Sequence, residues 1–137
     1  MAYMSQEEKK ELSVGIKAVL KKYGIKGSIA VRHHMTLVVN IKSGKLDILG
    51  NWFDTVSKKR RFSDNIPDTK PEYLDVNVYY IDDNYTGKVQ QFLRELYYAM
   101  KGPNYFNNDD IMTDYFHRSH YIDINVGKWN KPYQFEG

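Results

Sequence analysis

The chain spells nearly the same hexapeptide twice: Tyr73-Leu74-Asp75-Val76-Asn77-Val78 returns as Tyr121-Ile122-Asp123-Ile124-Asn125-Val126. The run Leu37-Val38-Val39-Asn40-Ile41 echoes its second half. Side chains of a strand alternate between faces, so each copy buries one apolar row, Leu74, Val76 and Val78 or Ile122, Ile124 and Val126. Tyr, Asp and Asn then share the other side. Such strands predict an antiparallel sheet with one face on the core and one face in water.

Helical signals surround the strands. Ser5 and Glu8 form a capping-box pattern, after which Leu12, Ile16, Val19, Leu20 and Tyr23 recur at helical spacing until Gly24. The outer side of this helix carries Lys9, Lys10, Lys17, Lys21 and Lys22. Residues 28–32 and 36–42 are β-prone and are separated by His33-His34-Met35, a hairpin-length connection. Leu46, Leu49, Trp52, Phe53 and Val56 predict a second helix over 45–56, interrupted by Gly50. Residues 57–71, with Pro67 and Pro71, read as a surface loop. After the first hexapeptide, Asp82-Asp83-Asn84 reads as a turn. Val89, Phe92, Leu93, Leu96, Tyr97 and Met100 then mark a third helix closed by Gly102-Pro103. Residues 104–110 read as loop, 111–116 as a short helical turn or irregular segment, and Trp129, Tyr133 and Phe135 as a tail packed on the body.

The order α-β-β-α-β-α-β is most economically built as a single α+β domain spanning 1–137, a four-stranded, largely antiparallel sheet with helices on one face. With 137 residues, 42% of them apolar, the chain is long enough for one sizeable core. It has no cysteine, which excludes disulfide staples, thiolate metal sites and thiol nucleophiles. Residues 1–10 lack the apolar segment of a signal peptide, and no window approaches the roughly 18 apolar residues of a membrane span. The expectation is a soluble, cytoplasmic protein without membrane contact. Charge is divided: residues 1–61 hold 13 Lys and Arg against 5 Asp and Glu (+8), and residues 62–137 hold 7 against 12 (−5). Such a split steers one half toward phosphate or acidic protein and the other toward basic partners, unless the fold interleaves the charges.

The block from Thr113-Asp114-Tyr115-Phe116 through the second hexapeptide to Gly127-Lys128-Trp129-Asn130-Lys131-Pro132-Tyr133 resembles the C-terminal signature of one of the large polyvalent protein-associated domain families. Lys22-Tyr23-Gly24-Ile25-Lys26, Val31-Arg32-His33-His34 and the run from Thr36 to Gly44 resemble the same family. These are small proteins of phages and mobile elements. The resemblance implies a role in the conflict between phage and host, with a host protein or protein complex as partner. It brings no established catalytic residues.

The residues themselves leave three uses open. With the hexapeptides adjacent, Tyr73, Asp75, Asn77, Tyr121, Asp123 and Asn125 line one polar face, joined by Asn40, Lys42 and Arg32, and can dock a protein partner through tyrosine anchors. An ordinary solvated face accounts for the same residues, with Asp123 or Asp75 paired to Arg32 or Lys42 across the sheet. Two carboxylates with amide neighbours can also hold a hard cation such as Mg²⁺ in an enzyme acting on nucleotides or phosphodiesters. The basic run Lys58-Lys59-Arg60-Arg61, with the lysines of the first helix, is the candidate nucleic-acid surface. Carboxylates at the centre of the sheet repel phosphate, which favours protein on that face. His33-His34 and His117-x-x-His120 lack zinc-site spacing, no serine sits in a nucleophile elbow, and no glycine-rich loop cradles phosphate. The expectation is therefore no cofactor, no metal, no catalytic residue, and a non-catalytic accessory protein that inhibits a host defence system by binding.

Overall fold

The computed structural model describes residues 6–33, 35–58, 70–102 and 120–136. In chain order they form α1 (Gln6–Lys22), β1 (Ile25–Arg32), β2 (Thr36–Gly44), α2 (Ile48–Lys58), β3 (Leu74–Val76), a 3-10 turn (Val78–Tyr80), α3 (Ile81–Asn84), α4 (Gly87–Lys101), β4 (Tyr121–Val126) and β5 (Gln134–Phe135). The fold is α+β. No described helix is long and apolar enough to cross a membrane. Ser5, Lys59, Arg60, Arg61, His34, His117 and residues 104–116 lie outside the described residues, as does the expected loop from residue 59 to 69.

The sheet is mixed and five-stranded, which corrects the expected four-stranded, largely antiparallel arrangement. Its path runs β1-β2-β4-β3, with β5 added beside β2. β1 and β2 form the expected antiparallel hairpin, but β2 and β4 run parallel, Leu37 opposite Ile122 and Asn40 opposite Asn125. Parallel neighbours need a long crossover, usually helical, and the chain between β2 and β4 supplies one through α2, α3 and α4. The two hexapeptides do lie side by side: Leu74 faces Val126, Asp75 faces Asn125 and Val76 faces Ile124 in antiparallel register. The first copy is cut short. Asn77 Oδ1 accepts the Tyr79 amide (3.1 Å), a local side-chain bond that competes with the ladder and curls the chain into the 3-10 turn.

The four described helices feed one core. Ile16 and Leu20 of α1, Ile48 and Leu49 of α2, Ile81 of α3 and Phe92, Leu93, Leu96 and Met100 of α4 meet Leu37, Val39, Ile41, Val76, Ile124 and Val126 of the sheet. Gly24 ends α1 at φ 66°, and Gly102 follows α4 at φ 75°. Among the described residues the helices therefore occupy one side of the sheet, as the alternation required, and leave the polar side without a helix.

Candidate binding face and bulge-centred cleft

Register places the polar side in rows. Ser28, Asn40, Asn125 and Asp75 form one row, Ala30, Val38 and Asp123 the next, and Arg32, Thr36 and Tyr121 the third. Much of it is internally engaged. Asp123 accepts from Arg32 Nη2 at 2.9 Å across the intervening β2. Asn125 Nδ2 donates to Asn40 Oδ1 at 3.2 Å. Asn77 is occupied as the cap of the 3-10 turn. Val38, between Ala30 and Asp123, is only 5% exposed although it points away from the helical core.

What remains outward at the β3 edge lies on that strand and on the residues beside it. Tyr73 is 49% exposed and Asp75 is exposed, with no ion pair or hydrogen bond to its carboxylate among the described residues. Tyr79 and Tyr80 follow in the 3-10 turn and are also exposed. Tyr121 sits at the opposite end of the face. Asp75 and Asp123 do not form a joint cation site: Asp75 faces Asn125, and the Asp123 carboxylate is held by Arg32. Among the described residues no three His, Cys, Asp or Glu side chains converge in a way that could hold a metal.

A second feature was not visible in the sequence. β1 and β2 slip register between Lys26 and Gly27: Lys26 pairs with Ser43, and Gly27 pairs with Ile41. Lys42 is thus the extra residue of a bulge. On its other side β4 ends opposite Ile41 and β5 begins opposite Ser43, so Lys42 is skipped there as well. Bulges re-aim side chains and recur beside functional sites. Here the gap opens because β4 leaves the sheet at Gly127, whose φ is 71° and whose amide donates to Ile41 O (2.8 Å). A Cβ at residue 127 would come within 2.6 Å of Tyr133 N, so only glycine fits. The chain turns back on itself with paired backbone bonds between Lys128 and Lys131 (2.8 and 3.1 Å), carrying Trp129 and Asn130 at the tip. It returns as β5, pinned by Tyr133, whose buried hydroxyl donates to Leu46 O at 2.6 Å. The result is a cleft of about 420 Å³ lined by Ser28, Asn40, Lys42, Lys128, Lys131 and Gln134 among others.

The tail packs back through Tyr133 as expected, but Trp129 is 78% exposed and Phe135 51% exposed. Lys58 ends α2 and is exposed. Of the histidines, His33 takes φ 54° at the hairpin, and His120 is buried with Nε2 donating to Met100 O (2.8 Å). In the sequence, Asn40 and Lys42 are placed on the polar face, and the Lys-Trp-Asn-Lys run framed by Gly127 and Pro132 is the sign of the turn that joins them. Comparison with family models, with curated proteins and with solved structures finds no match for this chain.

Proposed function

We propose that this is a non-catalytic binding protein that docks a protein partner on the side of its sheet that carries no described helix, through Tyr73 and Asp75 with Tyr121 at the far end. The observation that carries this reading is the exposed Asp75 carboxylate of the edge strand β3, unengaged among the described residues and flanked along the chain by exposed Tyr73 and Tyr79. Tyrosine supplies a large anchor at low entropic cost, and a bare carboxylate selects a basic side chain on the partner. Asn77, Asp123 and Asn125 shape and stiffen the surface rather than reach outward. The two acid groups that general acid–base chemistry would recruit are separated in role, one paired and one solvated, which supports binding over catalysis. On the sequence resemblance, the partner is a host protein of a defence system and the setting is the host cytoplasm.

The test is a titration. A protein captured from bacterial lysate is purified and measured against the wild type and against a Tyr73→Ala, Asp75→Ala double variant of unchanged thermal midpoint. An anchor of this kind contributes about 2 kcal/mol or more, so the double variant is expected to bind at least ~30-fold more weakly. Equal affinity for both proteins would remove these residues from the interface.

A further inference from the structure

We infer that the protein also binds a single strand of nucleic acid along a lysine track that wraps the β1 edge of the sheet, with its phosphates on Lys42, Lys128 and Lys131. The track has two parts. The first is the bulge-centred cleft just described. The second is a groove of about 760 Å³ between α1 and β1, whose lining includes Lys9, Lys10 and Lys17. Ser28 lines both, so the two concavities flank the same residue of the edge strand β1. Gly27, beside it, lies against the Asn40 carbonyl so closely that a Cβ would come within 2.7 Å, which keeps the edge thin at the crossing.

Charge complementarity names the occupant. Among the described residues six lysines line the two concavities, no Asp or Glu lines either, and none of the six joins an ion pair. Asp75 shares the row of Ser28 and Asn40 but stands on β3, two strands from β2 and beyond Asn125, so it is not part of the cleft wall. The order of strands therefore divides the polar side into a carboxylate end and an ammonium end. Trp129, solvent-exposed in the turn between Lys128 and Lys131, is the stacking platform for a base. Every base has a π-face, so lysines for phosphate and an aromatic for bases make a sequence-tolerant single-strand surface. A duplex keeps its bases stacked and cannot use the tryptophan. An acidic peptide would satisfy the lysines but gains no comparable stack.

The experiment uses the full chain and a fluorescein-labelled single-stranded DNA of mixed sequence, about 20 nucleotides long to exceed a typical single-strand site. Anisotropy is followed at several salt concentrations. The wild type is expected to bind at low salt and to quench tryptophan fluorescence, a quench that Trp129→Ala, which keeps Trp52, is expected to lose. A Lys42→Ala, Lys128→Ala, Lys131→Ala variant is expected to lose at least tenfold in affinity, and its log–log salt slope to shrink by roughly 2, at about 0.7 per phosphate contact. Trp129→Ala is expected to lose affinity while keeping the slope. The Tyr73→Ala, Asp75→Ala variant is expected to bind the strand as the wild type does, which separates this inference from the protein-docking surface. No binding at low salt, an unaltered slope in the lysine variant, a duplex of the same sequence binding as tightly, or poly-glutamate displacing the strand at equal charge concentration would each overturn it.

Discussion

Gly50 shows how one residue is read differently once its neighbour is placed. In the sequence it looked like a weak point of α2. In the structure Asp47 caps that helix, its Oδ1 accepting the Gly50 amide at 3.0 Å while Asp47 O accepts the Asn51 amide. A Cβ on residue 50 would sit 2.2 Å from Asp47 Oδ2, so glycine is what lets the cap close. Two opposed terms are at work: glycine costs up to about 1 kcal/mol against alanine in a helix, whereas losing an Asp cap costs about 0.5–2 kcal/mol. Chemical denaturation of a double-mutant cycle separates them. Gly50→Ala is expected to fail to stabilise the wild type, and to stabilise the Asp47→Ala background by up to about 1 kcal/mol, since the clashing carboxylate is gone. Residues of this sort were half legible: the apolar spacing of α2 was in the sequence, but the reason for its glycine was a contact three residues away.

At the scale of elements, what could be read depended on the range of the forces involved. α1, α4 and the β1–β2 hairpin follow from local periodicity, and the apolar residues that mark them, such as Ile16, Leu37, Val39, Phe92 and Leu96, lie in the core. The parallel β2–β4 pair and the short β5 arise from a crossover of many residues and were not legible. The bulge at Lys42 has no local signature either, because Ile41-Lys42-Ser43 would continue a regular strand if both neighbours were continuous. The strand truncated at Asn77 lost its ladder to a cap. Elements are also joined by a titratable group: His120 at the start of β4 donates to the carbonyl of Met100 near the end of α4. Burial holds its pKa below the ordinary 6.5, partly offset by the Met100 carbonyl and the charge of Glu8. As pH falls through 6.5 the unfolded chain takes up a proton here before the folded one does, so stability drops with falling pH in the window below 6.5. His120→Gln, which keeps a donor for Met100 O, is expected to flatten this slope in denaturation midpoints between neutral and mildly acidic pH. An unchanged slope would place the acid sensitivity elsewhere.

Across the whole molecule, the +8 and −5 halves of the sequence are rearranged rather than simply mixed. Some charges interleave, as Lys22 with Glu95 (2.7 Å) between α1 and α4 and Arg32 with Asp123 across the sheet. The polar side nevertheless keeps two unlike ends, Asp75 with its tyrosines on β3 and Lys42, Lys128 and Lys131 around the split beside β2. The lysines of the second cluster come from both halves, so no reading of segment charge could assemble it. Protein docking at the β3 end of the polar side is the central claim, and backbone hydrogen exchange on the purified complex with a captured protein tests it most directly. The account predicts slowed exchange on binding at β3 and the 3-10 turn, with the outer surfaces of α1 and α4 unchanged. Protection confined to those helices, with residues 73–80 exchanging as in the free protein, would contradict it.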